Sequence, residues 1–131
     1  MALEQRLVLD SGAVIALARN DARARSVLQA AWESGAQVSI PVVVLAETVR
    51  GRPDDAPVNR IVKAVGDFID VTAPDGRSAG HLLGDTGVAS TIDAIVIAST
   101  DRTGGGAILT GDPHDLRRLT EHNASIDILP L

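Results

Sequence analysis

The chain has 131 residues, 45% of them hydrophobic, with a formal net charge of −5 and no cysteine. That length suits a single domain over residues 1–131, the apolar share argues against disorder, and the missing thiols exclude disulfides, thiolate metal sites and a cysteine nucleophile. No apolar run approaches the ~20 residues a membrane span needs, and the opening MALEQRLVLD carries an acid and runs into a strand, unlike a secretion signal, so a cytoplasmic protein is expected.

Leu7-Val8-Leu9 predicts a buried strand ending at Asp10, followed by a turn at Ser11-Gly12 and a helix over Ala13–Leu17. Ligands of an open parallel sheet bind outside the carboxyl ends of its strands. Asp10 is therefore a candidate site residue, or only the cap of the next helix. Asn20 or Asp21 caps a helix over Ala22–Ser34, with Val27, Ala30, Ala31 and Ser34 at helical spacing and Gly35 as its stop. Gln37–Ile40 reads as a second strand. Pro41 suits the first turn of a helix over Val42–Val49, which ends before Gly51-Arg52-Pro53.

Asp54–Phe68 reads as helical, with Val58, Ile61, Val62 and Val65 in one stripe. Phe68–Val71 is a short strand, Asp75–Asp85 a helix with Ala79, Leu82 and Leu83 inward, and Gly84–Ser90 a loop. Thr91–Arg102 is a helix whose apolar centre, Ala94–Ala98, predicts burial between layers. Gly104-Gly105-Gly106 is a turn, since no Lys-Ser/Thr follows to make it a phosphate loop. Ala107–Thr110 is a strand, Asp112-Pro113 a cap with proline at the first helical position, and Ile126–Leu129 a last strand after a helix ending near His122-Asn123. Strands alternating with helices predict a mostly parallel sheet between helical layers.

Four acids sit beside core-type sequence: Asp10, Glu47 in VVVLAETVRG, Asp93 in STIDAIVIAS, and Asp112 in ILTGDPHDLRRL, with Asp115 three residues on. Each has an ordinary explanation. Glu47 has Arg50 at i+3, Asp93 stands at the positive end of its helix, and Asp112 with Asp115 makes a capping pair. Taken together they say more. At an effective dielectric of ~20, charges ~6 Å apart repel by roughly 3 kcal/mol. Four converging carboxylates would cost on the order of 15 kcal/mol, which rivals the stability of a whole domain. If they meet, they take up protons or hold cations. Oxygen-only donors select Mg²⁺ or Mn²⁺. Carboxylate-held magnesium suits phosphodiester hydrolysis.

The basic residues are eleven arginines and Lys63. Arg50, Arg52, Arg117 and Arg118 are candidates for nucleic-acid backbone contacts through the two-pronged guanidinium. With only Trp32 and Phe68 as aromatics, a base-stacking platform is excluded. Two bound Mg²⁺ would add four positive charges and leave the chain near −1, which removes most of its repulsion for RNA.

LVLDSGAVIALA, IPVVVLAETVRG, STIDAIVIAST and ILTGDPHDLRRL, in this order and at these separations, resemble the PIN-domain family, and within it the VapC-type toxins of bacterial toxin–antitoxin pairs. The resemblance runs nearly end to end. It implies a three-layer α/β/α sandwich, Mg²⁺-dependent endoribonuclease activity, a homodimer and a VapB-like antitoxin partner. It assigns Asp10 and Asp93 as metal ligands. Glu47 holds metal or positions water, Asp112 completes the acid quartet, and Asp115 ranks below it. His114 stands where relatives often carry a further acid, and Thr110 or Ser11 can orient a ligand. Val14, Leu17, Leu28 and Val43 are candidates to line an antitoxin groove, or plain core.

Three other readings compete with this one. A HAD-like phosphatase needs a second Asp where Gly12 stands. A flavodoxin-like phospho-acceptor wants a lysine after a late strand, and Lys63 lies in a helix. The remaining alternative is a PIN fold that has lost catalysis and acts only by binding protein.

Overall fold

The structure is a computed structural model and describes residues 6–131. Five strands form one parallel sheet in the order β3-β2-β1-β4-β5. They are β1 (Arg6–Leu9), β2 (Gln37–Pro41), β3 (Phe68–Ile69), β4 (Gly106–Thr110) and β5 (Ile126–Pro130). The helices are α1 (Ser11–Ala18), α2 (Ala22–Glu33), α3 (Val42–Thr48), α4 (Ala56–Val65), α5 (Ala73–Thr86), α6 (Thr91–Arg102) and α7 (Pro113–Leu119). Contacts sort them into two groups: α1 packs on α2 and α4, while α5, α6 and α7 pack on one another. This is the expected three-layer α/β/α sandwich.

The order has a physical consequence. From β1 the chain steps outward to β2 and β3, then crosses back to β4 on the other side of β1. The reversal puts the later helices on the opposite face. It makes the carboxyl ends of β1 and β4 the switch point, the place where open α/β sheets bind ligands. Leu7, Val8 and Leu9 pair with β4 on one edge and, through Leu7 and Val8, with β2 on the other. All three are fully buried. β1 is thus apolar throughout because it has no solvent face.

Local chemistry accounts for the element ends. Asp21 caps α2 by accepting from the Ala24 amide at 2.9 Å. A reciprocal box joins Thr72 and Asp75 at the start of α5. Asp75 also takes Arg102 from the end of α6, Nε to Oδ1 at 2.9 Å, which ties the two helices together.

Several boundaries differ from expectation. The buried stripe of α2 is Ala24, Leu28 and Ala31, with Ala30 and Ser34 exposed, so the true i, i+4, i+7 row lies one position from the expected one. α5 begins two residues early, because its capping box sits at Thr72. α4 starts only at Ala56, since Pro53–Asp55 forms a 3-10 turn braced by Asp55 Oδ2, which accepts the Arg50, Gly51 and Arg52 amides. α7 stops at Leu119, three residues short of His122. Gly106 belongs to β4 instead of the preceding turn.

Two stability tests follow from this packing. Gly105 has φ +84°, and a Cβ there would lie 2.3 Å from the Ser125 carbonyl oxygen. Gly105→Ala is expected to cost about 3 kcal/mol or more in urea unfolding, through overpacking and backbone strain together. The Thr100 hydroxyl is buried and has no hydrogen-bond partner among the described residues. Thr100→Val should therefore stabilise the fold by about 1 kcal/mol, and a loss of stability would show that the hydroxyl has a partner.

Candidate active site

Acids from four separate elements act on one another's charge near the carboxyl ends of β1 and β4. Asp10 follows β1 directly; its amide continues the sheet by donating to the Leu109 carbonyl at 3.2 Å. Its carboxylate accepts from the Ala13 amide at 2.9 Å, so Asp10 does cap α1. Asp10 is only 8% exposed. Burial is the main reason its pKa is pushed up to about 6. The Thr110 hydroxyl and the Ala13 amide pull it down, and the charges of Asp93 and Glu47 add to the rise. Of the two readings of this residue, capping is the one the hydrogen bond shows directly.

Asp93 lies in the first turn of α6, half-buried, and accepts from the Ser90 hydroxyl at 2.8 Å. Burial pushes its pKa up as well, Ser90 opposes this, and the charges of Asp115 and Asp112 push it further. Asp10 therefore feels Asp93 and Glu47, and Asp93 feels Asp112 and Asp115. Through Asp93 the five acids share one field. Among the described residues, no three acids stand close enough to hold an ion together as they are placed.

Two of the acids are less buried than their sequence surroundings imply. Glu47 and Asp112 are both exposed. Asp112 occupies the cap position of α7, but its carboxylate makes no cap hydrogen bond, and the expected box with Asp115 does not form. Instead its backbone amide donates to the Thr110 hydroxyl at 3.0 Å. Thr110 thus serves both the first and fourth acids, lowering the pKa of one and accepting from the amide of the other.

No described Arg or Lys neutralises this group. Among the described residues the ion pairs are Arg6–Asp67 and Arg102–Asp75. Arg50 does not meet Glu47; it folds back to donate to the Ala46 carbonyl at 2.8 Å, as a basic residue at a helix end does. Arg118 donates to the Thr86 carbonyl at 2.6 Å. Of the four arginines singled out, Arg52 and Arg117 are exposed without a side-chain hydrogen bond among the described residues. Ser90 escaped the sequence reading, although Ser-x-x-Asp at a helix start was its signal. Val14, Leu17 and Leu28 are buried core, and Val43 is half-buried.

A family model, PIN domain, matches residues 7–121. The chain belongs to the PIN-domain family. No curated protein matches the sequence significantly. Among solved structures, the PIN fold here is similar to a chain of VapBC2 from Rickettsia felis bound to a DNA fragment from its promoter. The TM-score is 0.77 and the identity 13%, over 97% of this chain and 99% of that one. It is similar to a chain of a toxin–antitoxin complex from Klebsiella pneumoniae, at TM-score 0.71 and 17% identity, over 92% and 94% of the two chains. It is also similar to a chain of FitAB bound to the IR36 DNA fragment, at TM-score 0.62 and 13% identity, over 95% and 94%. At such identities the likeness is one of fold.

The electrostatics make a prediction about stability. An Asp raised from 3.8 to about 6 is neutral in folded and unfolded chains below pH ~4, so its stabilising effect is complete there. That effect is lost as pH rises through about 6. Above that pH the folded state carries a penalty of about 3 kcal/mol. Asp10→Asn, which can still accept from Ala13, should raise the melting temperature at pH 8 without divalent ions and change it little at pH 4. Equal melting curves for the two proteins at pH 8 would show that Asp10 is not destabilised by its surroundings.

Proposed function

We propose that this PIN-domain chain is a divalent-metal-dependent endoribonuclease and the toxin member of a toxin–antitoxin pair. One observation carries the reading. A buried carboxylate at the switch point, with its pKa pushed up to about 6, has other acids beside it and no described cation to offset them. Such a site favours a cation strongly. The donors are all carboxylate oxygens, which fits Mg²⁺, with Mn²⁺ as a substitute.

Asp10 and Asp93 are the ligands best fixed in place, by Ala13, Thr110 and Ser90. Among the described residues Glu47 and Asp112 have no side-chain hydrogen-bond partner, so their rotamers are free to turn inward and complete the set. Asp115 is the reserve ligand, since its charge already reaches Asp93. When bound, the ion offsets the acids, acidifies a coordinated water and neutralises charge on a scissile phosphate. Thr110 keeps the Asp10 carboxylate oriented, and Glu47 positions the attacking water. Arg52 and Arg117 are the arginines best placed to meet RNA phosphates. Arg50 and Arg118, already bound to carbonyls, would first have to let go.

The likeness to chains from toxin–antitoxin complexes supports a VapB-like antitoxin partner, a homodimer and a cytoplasmic setting. Among the described residues no helix is long and apolar enough to cross a membrane. The competing reading, a PIN module that only binds protein, draws on the lack of a ready three-acid cluster.

The test is cleavage of a mixed RNA in Mg²⁺ by wild type, Asp10→Asn and Asp93→Asn, with Mn²⁺ calorimetry on each. Wild-type cutting that EDTA stops and either substitution lowers by about 100-fold or more is expected. Equal cutting by all three proteins sinks the mechanism. No cutting together with no Mn²⁺ uptake supports the binding module.

A further inference from the structure

The βα loops that carry Asp10 and Asp112 touch at one place, glycine against glycine. A Cβ built on Gly12 would lie 3.0 Å from the Gly111 amide nitrogen, 3.2 Å from its Cα and 3.5 Å from Asp10 Oδ1. The first two are tighter than ordinary contact, and both partners are backbone, which cannot swing aside as a long side chain can. Gly12 has no positive φ to require glycine, and it sits in α1, where glycine is the poorer choice than alanine. Its reason for being glycine is the close approach itself. The contact is asymmetric. A Cβ on Gly111 would meet Gly12 Cα and Leu131 Cδ1 at 3.6 Å, ordinary distances.

What hangs from the contact is the acid spacing. Asp10 lies two residues before Gly12 and is pinned to α1 through the Ala13 amide. Asp112 lies one residue after Gly111 and is pinned to β4 through the Thr110 hydroxyl. We propose that Gly12 is a positioning residue: its bare Cα lets the two loops close, and so sets the separation of the backbones that carry Asp10 and Asp112. The consequence for metal rests on the nuclease reading above, whereas the loop closure does not.

The first measurement is made without metal. In Gly12→Ala the added methyl pushes the β4–α7 loop outward and weakens the Asp112 amide bond to Thr110. Hydrogen exchange of the Asp112 amide should accelerate about tenfold or more while the amides of β1 and β4 keep their protection. Gly111→Ala, with the same methyl on the other side, should change that protection by less than about twofold. Unchanged protection of Asp112 in Gly12→Ala, or equal loosening in both variants, overturns the proposal. If Gly12→Ala does not fold, Gly111→Val wedges the same loops apart from the exposed side and must loosen the Asp112 amide.

The second measurement is Mn²⁺ uptake by calorimetry. Gly12→Ala should weaken it about fivefold in the wild-type background and leave it unchanged once Asp112→Asn is in place, because the two changes act on one spacing. An equal loss in both backgrounds would assign the effect to Asp10 alone and overturn the positioning role. No uptake by wild type would end the metal reading, with loop closure still decided by the amide data.

Discussion

A carboxylate buried where the central strand ends, with no cation beside it among the described residues, is the constraint around which this molecule is arranged. β1 has a strand on each edge and helical layers over both faces, so it must be apolar to its last residue. It then delivers Asp10 into the same protected volume. What compensates the charge is dipolar and local: one amide from the first turn of α1 and one hydroxyl from the end of β4. These lower the pKa without cancelling burial, and the neighbouring acids work against them.

Two other buried acids show that burial alone does not produce this state. Asp55 accepts the Arg52, Arg50 and Gly51 amides, and its pKa falls below the usual carboxylate range. Burial works upward on Asp75 too, but Thr72 and the Arg102 guanidinium outweigh it, and its pKa falls. All three residues are aspartates and all three are buried. Asp10 lies deepest of the three, and the partners differ as well. Asp55 and Asp75 are satisfied and hold a loop and a helix pair in place. Asp10 and Asp93 are left needing a positive charge, and they lie together at the sheet's switch point. Acids with raised pKa values are thus separated in the fold from acids with lowered ones.

Much of this was legible in the residues. Alternating apolar runs and cap signals located five strands and the helices between them, and the all-apolar centre of Thr91–Arg102 marked the helix that lies deepest. The errors cluster where a neighbour in space outvotes the local pattern. The α2 stripe was misplaced because Ala30 and Ala31 are equivalent by hydrophobicity, and only the facing sheet chooses between them. Asp112-Pro113 carries every local mark of a cap, yet the Thr110 hydroxyl satisfies the Asp112 amide and the carboxylate stays unused. Arg50 sits three residues from Glu47, but the open carbonyls at the end of α3 are nearer competitors for its guanidinium.

By itself the sequence determined the kind of fold and the list of acids, because hydrophobic periodicity and chain order are local properties that any parallel α/β arrangement must express. Tertiary structure decided the rest. The fold brought Asp10 within range of the charge of Asp93, and Asp93 within range of that of Asp112. The distribution of dipoles and cations made two acids reluctant to ionise and left two others content. Two glycines far apart in the chain came into contact beneath the site. Charge interaction and close packing depend on distances in space, and separation along the chain does not encode them.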